Sequence, residues 1–357
     1  MSASAPPPGR AHEGDVRDGA QRQEGSPVSK IVEVAAGVIV DGDGRFLLGQ
    51  RAPGTFYPGY WEFPGGKVEP GESPAQALVR ELDEELGIRV RGLRPWLVRE
   101  HHYEHARVRL HFFEVHLWDG VIDDRVHSAL SWQQPDAPGV APMLPANGPI
   151  LKALRLPRSM GVTSAATFGT ETQLALIDAA LARGLKLIQV REPQMSRGEL
   201  HDFVASVCEL ARPRGALVLV NAQGRESPFG LADGVHLRAA DLMTLEHRPD
   251  APWVGASCHT RAELEYAARL GLDYAVLGSV QPTDSHPGEP GMGWAGFARL
   301  AGGLSIPVFA IGGLGAQDLA AARDAGAHGI AAIQRVWCPT VGAGASSSAS
   351  GGDAATR

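Results

Sequence analysis

From residue 159 onward, short apolar runs alternate with stretches of helical period. Eight such runs stand out: Met160-Gly-Val-Thr163, Lys186-Leu-Ile-Gln-Val-Arg191, Leu217-Val-Leu-Val-Asn221, Gly234-Val-His-Leu237, Trp253-Val-Gly-Ala-Ser257, Tyr274-Ala-Val-Leu-Gly278, Pro307-Val-Phe-Ala-Ile-Gly312 and Gly329-Ile-Ala-Ala-Ile333. Apolar runs of strand length separated by helical segments predict parallel strands with crossover helices, and eight of them predict a (β/α)8 barrel. Polar and glycine residues sit at the carboxyl ends of these runs, where barrel enzymes place their sites. The N-terminal part reads differently. Val32–Val40 and Arg45–Arg51 predict two strands, and residues 66–88 predict a loop, a helix and a turn. At about 100° per residue, Leu78, Leu82 and Leu86 make one apolar stripe, and Glu81, Glu84 and Glu85 fall in a neighbouring arc of roughly 100°. One face packs, and the next is acidic.

That acidic face is a poor choice for stability alone. Like charges at i,i+4 cost a few tenths of a kcal/mol, and Glu81 faces Glu85 with Glu84 beside both and only Arg80 as an adjacent counter-charge. A divalent cation reverses the sign. Oxygen ligands without His or Cys favour Mg²⁺, with Mn²⁺ as a substitute, and Mg²⁺ is typically held by one or two carboxylates plus substrate phosphate oxygens.

The pattern Gly66-x5-Glu72-x7-Arg80-Glu81-Leu82-x-Glu84-Glu85-x-Gly87-Ile88 resembles the Nudix box at every defined position. The flanking stretches Trp61-Glu-Phe-Pro-Gly-Gly66 and Leu144-Pro-Ala-Asn147-Gly-Pro-Ile resemble the MutT branch, whose members hydrolyse oxidised guanine nucleoside triphosphates to monophosphate and pyrophosphate. The resemblance implies an α/β/α sandwich with a mixed sheet. It also implies Glu81, Glu84, Glu85 and the Gly65 or Gly66 carbonyl as metal ligands, Arg80 orienting the glutamates and Glu72 supporting the loop. Metal would activate a water and neutralise the leaving pyrophosphate, with one box glutamate as a proton acceptor. Arg51 would contact substrate, Phe63 would line a purine pocket, Lys67 would add charge near phosphate, and Asn147 would hydrogen-bond the base through its paired donor and acceptor. One region departs from the branch. Where relatives carry a glutamate before a Trp, Arg125-Val-His-Ser-Ala-Leu-Ser-Trp132 has none, although Asp123 and Asp124 lie just upstream.

In the second half, Gln189-Val-Arg191-Glu192, Ala232-Asp233-Gly-Val-His236-Leu, Gly255-Ala-Ser257-Cys-His259, Asp273-Tyr-Ala-Val-Leu-Gly278, Pro282-Thr283-x-Ser-His286 and Ile311-Gly312-Gly313 together resemble thiamin-phosphate synthase and its TenI-like relatives. The resemblance implies phosphate binding at Gly312 and Gly313, where bare backbone lets N–H groups approach an anion. The synthase chemistry is compromised. Pro193 stands where the family has Lys, Ala222 where it has Asp, and His286 where a Lys is expected, so cations and a metal carboxylate are lost. After Ile333 the chain lacks a recognisable last helix. The barrel is therefore expected to be non-catalytic, supporting or regulating the first domain, or an isomerase-like binder of a phosphorylated small molecule using His236, His259 or His286.

Length and ends complete the reading. A chain of 357 residues exceeds one such domain. The expected division is a disordered tail over 1–29, the hydrolase domain over 30–157, the barrel over 159–340 and a second disordered tail over 341–357. A helix around Leu151, ended by Pro157, leaves so short a connection that the domains should pack together. Three cysteines are too few for a disulfide scaffold, the N-terminal segment has no signal-peptide core, and no apolar run is long enough to span a membrane, so a cytoplasmic protein is expected. A net charge of −7 argues against nucleic-acid binding and for a free nucleoside triphosphate as substrate. Two alternatives stay open: a Nudix hydrolase of another diphosphate, such as a thiamin-pathway compound, and a sensor in which a phosphate ligand in the barrel regulates the hydrolase.

Overall fold

The computed structural model describes residues 1, 31–104, 106–222, 230–283, 288 and 290–338. The tails expected at 1–29 and 341–357 lie outside these apart from Met1, as does His286. Strands β1 (Val32–Ile39), β2 (Phe46–Gln50), β3 (Trp61–Glu62) and β4 (Gly65–Lys67) lead into helix α1 (Pro74–Leu86). The long hairpin β5 (Arg89–His102) and β6 (Arg107–Asp119), then β7 (Ala129–Gln133) and helix α2 (Gly148–Leu154), complete this half. The strands form a mixed sheet in the order β4-β1-β6-β5 and an antiparallel sheet in the order β3-β2-β7. Leu78, Leu82 and Leu86 of α1 are fully buried against Ala35, Ile39, Leu47 and Val115, while Ile150 and Ala153 of α2 pack with Phe46, Phe63 and Phe112 in a separate core. The result is the expected helix, sheet, helix sandwich. Local signals explain α1 well: Ser73 and Gln76 make a reciprocal capping box, Pro74 opens the first turn, and Gly87 closes it in the left-handed conformation at φ 65°. The closing helix starts earlier than the sequence suggested, at Gly148, because Pro149 suits a first turn. It ends at Leu154, ahead of Pro157.

All eight runs of the second half are strands: β8 (Ser159–Val162), β9 (Leu187–Val190), β10 (Leu217–Asn221), β11 (Gly234–Leu237), β12 (Trp253–Cys258), β13 (Tyr274–Leu277), β14 (Val308–Ile311) and β15 (Gly329–Ala332). They close in sequence order into a parallel barrel. Among the described residues no helix follows β15. Instead Trp337, 1% exposed, fills that place, its indole N–H donating to the Val162 carbonyl at 3.0 Å.

The two halves meet at the end of the barrel where its strands begin. Glu114 of β6 is buried and accepts hydrogen bonds from both Arg158, just before β8, and Arg323. Arg158 also reaches the buried His328 ring at 2.8 Å and lies over Trp96. Around this centre the Val98 N–H donates to the Leu304 carbonyl at 2.9 Å, Arg94 pairs with Asp324 at 2.6 Å, and Lys152 pairs with Asp273 at 2.6 Å. A buried ion pair with satisfied partners fixes a geometry more than it adds net stability. The domains therefore pack together, and the carboxyl ends of the barrel strands face away from the first domain. Among the described residues no helix is long and apolar enough to cross a membrane.

Candidate active site

The chain from β3 through β4 to α1 gathers the acidic cluster. β4 pairs with β1 so that Ala36 lies opposite Gly65 and Ala35 opposite Gly66, which presses the Gly-Gly turn against the helix. A Cβ on Gly66 would overlap the Glu81 carboxylate. The firm steric requirement is at Gly65, where φ is 138° and a Cβ would meet the Ala35 carbonyl. The Gly65 N–H donates to Glu85 at 3.0 Å. Arg80 is the hub of the turn: its guanidinium donates to Glu72 at 2.7 Å, Glu81 at 2.9 Å, the Lys67 carbonyl at 3.1 Å and Glu84 at 3.4 Å. These bonds hold Glu72 below the usual carboxylate range. Glu84 is the outermost of the set, its side chain 60% exposed.

Burial pushes the Glu85 carboxyl up to about 8, assisted by the negative charges of Glu81 and Glu62 and opposed by the Gly65 N–H bond. Without a cation this acid therefore keeps its proton near neutrality. The folded state then binds one more proton than the unfolded chain between the ordinary value and about 8, so stability falls as pH rises through that window. The expected slope is about 1.4 kcal/mol per pH unit. Denaturant unfolding in EDTA at pH 5.5 and pH 8 should show this loss, and Glu85→Gln should flatten it; equal slopes in both proteins would refute the assignment.

Glu62 was not singled out from the sequence beyond its place in the Trp61–Gly66 stretch. In the fold it is the partner of Arg51, whose Nη1 donates to both carboxylate oxygens at 2.5 and 2.6 Å. Burial raises the Glu62 carboxyl against the pull of Arg51 and His127. Four tyrosine and histidine rings lie nearby and were also missed: Tyr57 packs on Tyr60 at 5.4 Å and on Tyr103 at 5.6 Å, and Tyr103 packs on His101 at 4.4 Å. Phe63 is buried, its ring edge-on to Phe112 at 5.7 Å, and Asn147 is buried with its amide donating to the Trp61 carbonyl at 3.2 Å. Arg51, Glu62 and Glu81 are thus brought within electrostatic reach of Glu85, Asn147 is tied to the Trp61 backbone, and Lys67 is exposed.

The donor set suits a hard divalent ion, since it is all oxygen and its carboxylates crowd one another. Among the described residues no three acidic, histidine or cysteine side chains already converge on a point. Arg80 and the Gly65 N–H occupy the glutamates in this arrangement.

The barrel has its own cavity of about 530 Å³ at the carboxyl ends of its strands. Arg191, Arg238 and Arg335 line it, with Asn221, His259, Gly312 and Gly313, and no carboxylate is among its described lining residues. Gly312 has φ 108°, and a Cβ there would crowd the Ser279 backbone. Glu192 is turned away, its carboxylate accepting from the Ala165 N–H at 2.8 Å. His236 lies beneath the floor, between the Tyr274 and Ser257 hydroxyls at 2.9 and 2.8 Å, and burial pulls it down to about 3. It is a neutral hydrogen-bonding group. His259 is exposed, with Nδ1 3.3 Å from the Gly278 carbonyl.

An acidic helix packed against a Gly-Gly turn is thus joined to a closed parallel barrel whose mouth is lined by arginines. Comparison with known proteins agrees on both halves. The NUDIX domain family model matches residues 31–154, and the thiamine monophosphate synthase (TMP-TENI) family model matches residues 160–336. Over 130 residues the chain is 42% identical to the CTP pyrophosphohydrolase of Escherichia coli, covering 35% of this chain and 91% of that protein. Over 172 residues it is 34% identical to the thiamine-phosphate synthase of Thiobacillus denitrificans, covering 47% of this chain and 82% of that protein. A putative thiamine-phosphate synthase of Aquifex aeolicus is 29% identical over 182 residues, covering 50% of this chain and 97% of that protein. The chain belongs to both families: a Nudix hydrolase acting on diphosphates, followed by a TMP-TENI domain.

Proposed function

We propose that the first domain hydrolyses nucleoside triphosphates to the monophosphate and pyrophosphate with Mg²⁺, or Mn²⁺ in its place, and that oxidised purine nucleotides such as 8-oxo-dGTP are its preferred substrates. The observation that carries this reading is the acidic cluster itself: the Glu81 carboxylate lies directly against the Gly66 backbone, beside a Glu85 whose burial makes its ionised form costly without a cation. Glu81, Glu84, Glu85 and the Gly66 carbonyl would hold the ion, which would polarise the phosphoanhydride and neutralise the leaving pyrophosphate. Arg80 keeps Glu81 and Glu72 in place by direct hydrogen bonds, Arg51 offers a cation to the substrate from its pair with Glu62, and Lys67 adds charge at the mouth. Asn147, whose amide bonds the Trp61 carbonyl, would supply the donor and acceptor for the base.

A second reading has a specific observation behind it. The Escherichia coli relative, 42% identical over 91% of its length, is a CTP pyrophosphohydrolase, so cytidine nucleotides are the competing substrate class. A panel of 8-oxo-dGTP, dGTP, CTP and thiamin diphosphate with Mg²⁺, read for pyrophosphate and orthophosphate, separates these readings. Asn147→Ala should lower the preference for 8-oxo-dGTP over dGTP by roughly tenfold, the scale of one lost hydrogen bond to a base. An unchanged ratio would reject the role of Asn147. For the barrel, three arginines without a lining carboxylate favour a phosphorylated small molecule bound without metal. Calorimetric titration of the full chain with thiazole phosphate tests this, and repeating the hydrolase assay with the ligand present shows whether the barrel regulates.

A further inference from the structure

A cavity of about 450 Å³ lies at the domain junction, walled on one side by β5 and α2 and on the other by the turns that lead into β13 and β14. Pro149, Leu272 and Ile306 give it apolar walls, Arg99 and Lys152 are its cations, and Asp273 is the one carboxylate among its described lining residues. Lys152 and Asp273 answer each other. Lys152 Nζ lies 2.6 Å from Asp273, donates to the Pro252 carbonyl at 2.8 Å and stands 4.9 Å over the Trp253 ring. Asp273 also accepts from Arg248 at 2.7 Å and from the Val254 N–H at 2.8 Å. Arg99 is different. Among the described residues its guanidinium has one hydrogen-bond partner, the Ser305 carbonyl at 2.7 Å, and no carboxylate. The neighbouring Glu100 belongs to the other face of the strand and is held by Arg107 and Arg109 at 2.6 and 2.8 Å. A guanidinium carries five N–H donors in a planar fork, so most of the Arg99 fork is left for a partner in the cavity. Burial pulls Arg99 below the ordinary arginine value with no carboxylate opposing it. A charge drawn out of water without a counter-charge costs free energy, and a bound anion would offset that cost.

We propose that this cavity is a binding site for a phosphate dianion, free or as a small monoester, which Arg99 grips from the first domain and which fastens the two domains together when bound. Arg99, Lys152 and Arg248 set against Asp273 leave an excess of two positive charges, which matches a dianion. The planar fork of an arginine pairs with two phosphate oxygens in parallel, a geometry that a lysine cannot offer. The volume suits a small metabolite, and the apolar walls would cover a short ester body. The site is separate from the barrel cavity. Its barrel walls precede β13 and β14, whereas Gly312, Gly313 and Arg335 line the mouth at the opposite ends of the strands. Because both domains supply its walls, a ligand there binds the docked chain in preference to the separated one and stabilises docking by mass action.

The test titrates the full-length chain calorimetrically with inorganic phosphate and, separately, with glycerol 3-phosphate, in EDTA so that the acidic helix holds no cation to attract either. Arg335→Gln serves as the background, since it weakens the barrel mouth and leaves the junction intact. Binding should persist in that background and raise the melting temperature by a few degrees at saturation. Adding Arg99→Gln should weaken it about tenfold or more, the scale of a lost charge-assisted hydrogen bond. Arg99→Lys should recover only part of the affinity, because it keeps the charge and loses the fork. Arg99 also bonds Ser305, so Ala268→Glu is the second variant: it brings a carboxylate to the cavity wall, leaves Arg99 in place and should weaken binding to a similar degree. Tighter binding of glycerol 3-phosphate assigns the cavity to an esterified metabolite, and equal binding assigns it to free phosphate; either bears the proposal out. Loss of all binding on replacing Arg335 overturns it, and so does unchanged affinity in Ala268→Glu and in the folded Arg99 variants. None of these outcomes depends on the hydrolase reading.

Discussion

Glu84→Gln is expected to reduce nucleotide hydrolysis by about 10³-fold while leaving the fold intact, because the residue faces outward and its one ion contact, to Arg80 at 3.4 Å, is the longest in the cluster. The substitution keeps the shape and the exposure of the side chain and removes only its charge. Stability should change by less than about 0.5 kcal/mol, as for surface substitutions in general. Steady-state hydrolysis with Mg²⁺, paired with thermal unfolding of the same preparation, makes the comparison. Turnover within a few-fold of wild type would remove the acidic helix from the chemistry. Glu81 is less suitable for this purpose, since its carboxylate bonds Arg80 and abuts Gly66, so its removal would disturb the turn as well.

The other large effect is expected at the domain junction. Glu114→Ala removes the acceptor shared by Arg158 and Arg323 and leaves two guanidinium groups facing each other in the interface. Breaking a buried pair from one side costs about 3–5 kcal/mol. A fall in melting temperature of roughly 10 °C should follow. Burial already works against the charge on Arg158, so loss of its carboxylate partner leaves that charge uncompensated. An unchanged melting temperature would mean that the domains dock through their peripheral contacts alone. Because the junction is at the closed end of the barrel and its cavity opens at the other, a barrel ligand would have to act through the barrel to reach the hydrolase cleft. Measuring Mg²⁺-dependent hydrolysis in Glu114→Ala would show whether that route passes through this pair.

Much of the fold was legible because its causes are local. The Leu78, Leu82 and Leu86 stripe and the eight apolar runs of the barrel are buried in the structure as their periods require, since helix and strand geometry impose those periods on any amphipathic segment. The gathering of glutamates on one face of α1 follows from the same rotation. Other features had no local signal. Glu62 meets Arg51 only because β2 and β3 pair in one register, and Trp337 replaces a helix because Gly161 leaves room for an indole beside β8. Glu192, in a stretch that resembles the thiamin-phosphate synthase pattern, accepts the Ala165 N–H and is turned away from the cavity.

The division has a physical basis. Periodicity, capping boxes and glycine turns act over one or two turns of chain, so the sequence alone determined the two domains, their strands, and the spacing of acids on the first helix. Which acid is buried and which arginine answers it depend on how sheets close and domains dock. Glu114, Arg158 and Arg323 lie far apart in the chain, yet share one buried charge centre. Only tertiary structure decided that arrangement, because desolvation and ion pairing depend on distance through space and not along the chain.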